Sequence, residues 1–280
     1  MRLIKLPTII RMVIEPTTNL KEAFKIYNPK KHFLNLEGKF NNEEFLKDFA
    51  SIFNKIEQLS LSNSGLASND FVYSLSKLKI LSIGFYTDVD TIIDMGKVNM
   101  LETLSISWYP KKIKNLSHQT KVKDLNLTRY KEKDLTTLKC FENILELSML
   151  GGSLKSLKGI ESFNNLEILK LTDLRSLDNI SHISSLNNIK KINFDSLYKL
   201  SDFSPLGEIE KLEDLEIIDC KKLASIKFVK NLSNLNRLVT LGTTIINDFD
   251  TTPAKDVPIF FGSRASSKYN VEYPEKEILN

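Results

Sequence analysis

The sequence predicts an α/β solenoid: a curved parallel sheet of about ten short strands, 3₁₀ and irregular turns on the convex side, and a distinct cap at each end. Two periodicities predict it. An apolar-x-apolar doublet recurs at Leu34/Leu36, Leu59/Leu61, Leu81/Ile83, Leu104/Ile106, Leu125/Leu127, Leu147/Met149, Leu169/Leu171, Ile192/Phe194 and Leu215/Ile217, and a degenerate tenth copy starts at Leu238 with Thr240 in second place. The intervals are 25, 22, 23, 21, 22, 22, 23, 23 and 23 residues and hold this register over 204 residues. From the second doublet onward an apolar residue also stands three places ahead, from Ile56, Leu78 and Leu101 through Val122, Ile144, Leu166, Ile189, Leu212 and Leu235.

The elements follow from these periods. In an extended doublet alternate side chains point to opposite faces, so the two apolar residues face inward and their neighbours outward. Between doublets the apolar spacing becomes three, as in Leu154, Leu157, Ile160, Phe163 and in Leu174, Leu177, Ile180, Ile183, Leu186. That period fits 3₁₀ turns, whose side chains eclipse at i and i+3. Stacked ~4.8 Å apart, ten such strands make a sheet roughly 40 Å or more in length.

The two ends depart from the pattern. Residues 19–27 (NLKEAFKIY) form a helical candidate within an amino-terminal cap over residues 1–31. Residues 41–56 carry Phe45, Phe49, Ile52, Phe53 and Ile56 at helical spacing behind Asn41 or Asn42 as cap, so the first repeat has an α-helix. Repeats span 32–245. Residues 246–280 form a carboxyl-terminal cap, where 256–274 read as one irregular strand and a closing segment of a single continuous domain.

Composition narrows the function. With 41% hydrophobic and 26% charged residues among 280, the chain is too apolar for disorder. The apolar start is broken by Lys5, Pro7 and Arg11, which argues against a membrane span or signal peptide and for a cytoplasmic protein. Two cysteines make no disulfide framework and three scattered histidines no metal site, so neither metal nor cofactor is expected. The net charge is +4, carried by 33 Lys against 6 Arg, a balance that suits solubility better than nucleic-acid binding.

The doublets and their leading apolar residues resemble leucine-rich repeats, and the three-residue period resembles the short-repeat, internalin-like bacterial subclass. The resemblance covers residues 32–245 and implies a right-handed solenoid that binds a partner on its concave face. One feature departs from it. Five residues after the first apolar of each doublet these repeats usually place a laddered Asn, whereas this chain has Ser64, Tyr86, Tyr109, Tyr130, Gly152, Leu174, Leu197, Cys220 and Thr243.

No phosphate-loop, dinucleotide or nucleophile-elbow motif is present, and His32, His118 and His182 fall at different phases of the repeat, so a non-catalytic protein is expected. The outward positions of the second to tenth strands hold five acidic and three basic residues, which does not favour nucleic acid. Against this polar background an aromatic rim stands out. Phe85 and Tyr86, Trp108 and Tyr109, and Arg129 and Tyr130 follow three successive strands beside a smooth floor of Ser82, Ser105 and Ser107. Trp, Tyr and Arg dominate binding hot spots, so the six residues are candidates for a binding ridge; because Tyr86, Tyr109 and Tyr130 stand at the ladder place they either join it or pack inward, and Phe85, Trp108 and Arg129 are its expected outward members. The sequence therefore predicts a monomeric protein-interaction module with a protein partner, in an adaptor or immunity role, and as its alternative a small-ligand binder or enzyme at the aromatic rim.

Overall fold

The computed structural model describes residues 1–84, 91–262 and 268–270. The chain forms two compact units, Met1–Thr128 and Arg129–Asn280.

In chain order the first unit contains β1 (Arg2–Lys5), β2 (Ile10–Ile14), α1 (Leu20–Ile26), β3 (His32–Phe40), α2 (Glu43–Ile52), β4 (Gln58–Leu66), α3 (Asp70–Tyr73), β5 (Ile80–Ile83), β6 (Ile93–Asp94), β7 (Thr103–Ser107), β8 (Ile113–Lys114) and β9 (Asp124–Tyr130), which runs into the second unit. Its sheet has the order β1-β2-β3-β4-β5-β7-β9. All neighbours run parallel except β1, which is antiparallel to β2. The helices arise where the sequence predicts them. The Asn19 side chain accepts from the Glu22 amide at the start of α1, and Asn42 accepts from Glu44 and Phe45 at the start of α2, each satisfying amides that a helix end leaves open.

The second unit contains β10 (Glu146–Gly152), β11 (Ile168–Thr172), β12 (Lys191–Asp195), β13 (Asp214–Ile218), β14 (Lys222–Leu223), β15 (Arg237–Leu241), β16 (Ile245–Ile246) and β17 (Ile259–Gly262). The order β10-β11-β12-β13-β15-β17 is parallel throughout. Returns between strands contain 3₁₀ turns at Thr136–Phe141, Ile160–Ser162, Ser181–Ser185, Ser204–Glu208 and Lys227–Asn231, where the three-residue apolar period lies.

Register shows why the repeat is regular. In the first unit Leu34, Leu59, Leu81, Leu104 and Leu125 are successive cross-strand partners, and in the second Leu147, Leu169, Ile192, Leu215 and Leu238 are. All ten are fully buried. Burying a Leu or Ile side chain contributes about 1.5–3 kcal/mol, so each coil is stabilised by the coils that cover it. The column also extends beyond the ten doublets. Met12 pairs with Leu34 and Phe260 with Leu238, so a strand precedes the first doublet and another follows the last, each 22 residues away. The expected irregular strand after Ile246 is thus a regular member of the sheet.

The asparagine ladder is displaced rather than missing. Ahead of the strands, the Asn188 amide donates to the Asn164 carbonyl at 2.9 Å, Asn234 donates to Glu210 at 2.7 Å, and Asn99 donates to Ser76. Behind the strands other chemistry fills the usual place. Leu174 and Leu197 are buried there, and the Cys220 thiol donates to the Ile218 carbonyl at 3.2 Å. Gly152 meets the Tyr130 backbone so closely that a Cβ would lie 2.1 Å from its carbonyl oxygen, so only glycine fits. In the tenth copy the place moves by one residue: Thr243 is exposed, and buried Thr244 accepts from the Cys220 amide at 3.0 Å.

Thr240 marks a weak point in this core. It is fully buried, and its hydroxyl finds no hydrogen-bond partner among the described residues. Thr240→Val keeps the shape and removes the unsatisfied group. Chemical denaturation should show a gain of about 1–2 kcal/mol, and a loss would mean that the hydroxyl is satisfied after all.

Candidate partner-binding surface

The outward sheet positions differ between the units. In the first, Ser82, Ser105 and Ser107 are half-buried on the outward face, as the smooth floor requires. Tyr109 is half-buried and precedes the 3₁₀ turn Pro110–Lys112. Phe85 and Tyr86 lie outside the described residues.

Trp108 contradicts the expected ridge. It is only 5% exposed, so it is part of the packing and not an outward anchor. Its amide donates to the Thr128 carbonyl at 2.9 Å. The same place in later copies is occupied by Arg129, Gly151, Asp173, Ser196, Asp219 and Gly242, all with φ between 53° and 68°. Trp108 does not share that left-handed backbone. An indole buries about 150–250 Å², far more apolar surface than the Gly, Ser and Asp side chains of the later copies offer.

In the second unit Arg129 is exposed, as expected, and Tyr130 is fully buried. The Tyr130 ring takes the inward ladder place, with its hydroxyl donating to the Asp134 carbonyl at 2.9 Å and lying 2.7 Å from Thr137 Oγ1. Burial pushes its phenol up to about 12, with the Thr137 bond opposing. The aromatic rim is therefore core at Trp108 and Tyr130, and the small-ligand alternative loses two of its rings.

The outward face of the second unit is organised instead by ion pairs. Lys170 Nζ donates to Glu146 at 2.7 Å, and Lys191 Nζ to Asp214 at 2.7 Å. Arg237 Nη1 bridges Asp214 at 2.7 Å and Glu216 at 2.5 Å, while the Asn193 amide donates to Glu216. Partly exposed pairs of this kind contribute roughly 0–1 kcal/mol each. Their effect is geometric, because side chains of five successive strands are held in two bonded groups, one on β10 and β11 and one on β12, β13 and β15. Beside it Leu150 is 51% exposed and Leu241 39% exposed, and Ile259 and Phe261 of β17 are also exposed. Large apolar side chains lying open on a sheet face are what association covers.

Catalytic chemistry finds little support in the geometry. The His32 ring accepts from the Asn28 amide at 3.1 Å, His118 lies 3.2 Å from the Asn115 carbonyl, and His182 lies 3.4 Å from Ser181 Oγ. Each histidine is thus bonded within its own loop. Burial pushes the Cys220 thiol up to about 11 and raises that of Cys140, which disfavours the thiolate in both. Among the described residues no three His, Cys, Asp or Glu side chains come together as metal ligands do, and no helix is long and apolar enough to cross a membrane.

No family model matches the sequence, and no curated protein matches it. Solved structures do match. An internalin (inlF) from Listeria monocytogenes superposes with a TM-score of 0.55 at 18% identity, covering 91% of this chain and 81% of the internalin. The fold is the leucine-rich-repeat fold. A TLR13 complex with ssRNA13 matches at 0.55 and 16% identity, covering 94% of this chain and 52% of the receptor, and a TDR receptor at 0.51 and 14%, covering 82% and 42%. The chain spans about half the length of these two proteins.

Two outcomes test the corrected rim. Trp108→Ala should cost about 3–5 kcal/mol in urea unfolding, whereas an outward Trp108 would leave the midpoint unchanged. Tyr130 carries a pH signature. Its folded pKa of about 12 exceeds the ordinary 10.0, so the stability from its protonated phenol is complete below pH 10.0 and disappears as pH rises through about 12. The advantage of the wild type over Tyr130→Phe in urea titrations should shrink across that window, and a constant difference would show a phenol with an ordinary pKa.

Proposed function

We propose that this protein is a non-catalytic interaction module that binds a protein partner on the outward sheet face of its second unit. The observation that carries this reading is the array on β10, β11, β12, β13 and β15: charges fixed by mutual pairing, bordered by open Leu150 and Leu241. A side-chain surface ordered before binding loses less entropy when a partner arrives. Its polar positions carry Glu146, Asp195, Asp214 and Glu216 against Lys170, Lys191 and Arg237, a near balance that suits a protein surface and gives a polyanion no continuous track. The likeness to an internalin and to receptors supports the same class of role by analogy of fold. The Lys- and Asn-rich composition is compatible with a bacterial adaptor or immunity protein.

Leu150→Glu and Leu241→Glu test the face. Tagged wild-type protein should capture a stoichiometric protein partner in affinity purification with mass spectrometry. Each variant should lose at least about tenfold in affinity for it, roughly 1.4 kcal/mol, with an unchanged thermal midpoint. Equal capture by wild type and both variants would remove this face from consideration.

A further inference from the structure

We infer that Arg175, Tyr198 and Lys221 form a cationic rim clamp on the second unit for an acidic segment of the protein partner, a segment that sets Asp or Glu beside bulky apolar residues. The inference rests on the interaction role proposed above and names the chemistry of what is bound.

The three residues stand six places after the first apolar residue of consecutive doublets, at Leu169, Ile192 and Leu215, which are direct cross-strand partners. Stacking therefore brings them into one column. Arg175 Cζ lies 5.9 Å from the centroid of the Tyr198 ring, and Lys221 Nζ lies 4.9 Å from it. A cation near an aromatic ring within about 6 Å is attracted by the ring quadrupole, so the column is ordered before any partner arrives. It is also accessible: Arg175 and Lys221 are exposed, and Tyr198 is 37% exposed.

Charge is sorted along this rim. The carboxylates are committed to the rim itself: Asp219 accepts from the Thr243 amide at 2.8 Å, Asp195 accepts from the Ser196 hydroxyl at 2.7 Å, and Asp173 holds Arg175 Nε at 2.7 Å. The lysines are not so engaged. Among the described residues no carboxylate lies within ion-pair distance of Lys221 or of exposed Lys199. The rim thus sets a guanidinium and an ammonium group at a tyrosine while its acids are held by the rim's own side chains and by a neighbouring amide. Tyr and Arg are also residue types that carry binding hot spots.

Next to the rim, the outward sheet row offers Ile218 and exposed Leu241 together with Asp195. The apolar side chains beside the cations suit a peptide of mixed acidic and apolar character, and Asp195 confines its acidic residues to the rim. Phosphates continued along the same path would meet Asp195, Asp214 and Glu216, which disfavours nucleic acid.

The test is selection of a random displayed peptide library on the full chain, followed by fluorescence anisotropy of the enriched peptides. The expected result is enrichment of Asp or Glu beside Leu, Ile or Phe, with affinity that falls as salt rises. Lys221→Glu and Arg175→Glu should each weaken those peptides about tenfold or more while the thermal midpoint stays in place. Enriched peptides without acidic residues, acidic peptides that bind the charge-reversed variants equally well, or no enrichment would each overturn the clamp. So would oligouridylate RNA that binds the wild type and is lost in the same variants. The wider reading fails separately. If the captured partner is lost with Leu150→Glu yet kept with Lys221→Glu, the face stands and the clamp does not.

Discussion

A single coil of this chain cannot keep water from both sides of its own leucines, and the rest of the structure depends on that constraint. Each doublet contributes two inward side chains in an extended segment about five residues long. Those side chains become dry only when the coil before and the coil after lie in register. Register in turn is set by main-chain hydrogen bonds between parallel strands, which admit no slip without turning every leucine to the opposite face. The near-constant interval of 21 to 25 residues is the length of chain needed to leave a strand, cross the convex side and return one strand spacing further on. Polar features are arranged around this column. Asparagine side chains cap carbonyls ahead of the strands, and left-handed residues such as Asp173, Ser196 and Asp219 turn the chain away after them while their amides donate to the neighbouring strand.

Much of the fold was legible because this column is written in one residue class. The doublets, the leading apolar residue and the three-residue period all report burial, and burial is what hydrophobicity records directly. The caps of α1 and α2 were legible for a similar reason, since Asn19 and Asn42 stand where a helix start needs an acceptor. The outermost strands were less visible. Met12 and Phe260 sit in the same column at the same interval, with Ile9 and Val257 three places ahead, but neither is leucine, Lys31 takes the leading place before Leu34 and Gly262 the second doublet place after Phe260, so the period looked broken where the stack continued.

The candidate site was less legible, because residue type does not reveal which way a large ring points. Trp108 and Tyr130 belong to hot-spot classes, yet both gain more by packing. The tryptophan stands at a place that later copies make left-handed, and the tyrosine at a place that other copies fill with buried Leu174 and Leu197. A signal for Tyr130 was present in the sequence: the ladder position is inward, and Thr137 lies one 3₁₀ turn away from Asp134 to receive the hydroxyl. The rim cations of the second unit were hidden for the opposite reason. Arg175, Tyr198 and Lys221 look unrelated along the chain, and only the repeat length of 23 residues in that stretch makes them neighbours.

In such a stack a surface column is specified by equivalent places of successive copies, and a change of interval is taken up in the return segments, because the strands stay in register across intervals of 21 to 25 residues. The three copies that begin at Leu169, Ile192 and Leu215 share the same interval, and their return segments share the same apolar spacing. Side chains six places after each doublet start therefore align without local adjustment. Where intervals vary, as between Leu104, Leu125 and Leu147, equivalent places present unlike surfaces: Trp108 is packed, Arg129 is exposed, and Gly151 shares the left-handed backbone of Arg129 but has no side chain. Regularity of the repeat is thus what allows a composite binding feature to form on the rim, and it is greatest in the part of the second unit where the outward charges are also fixed in pairs.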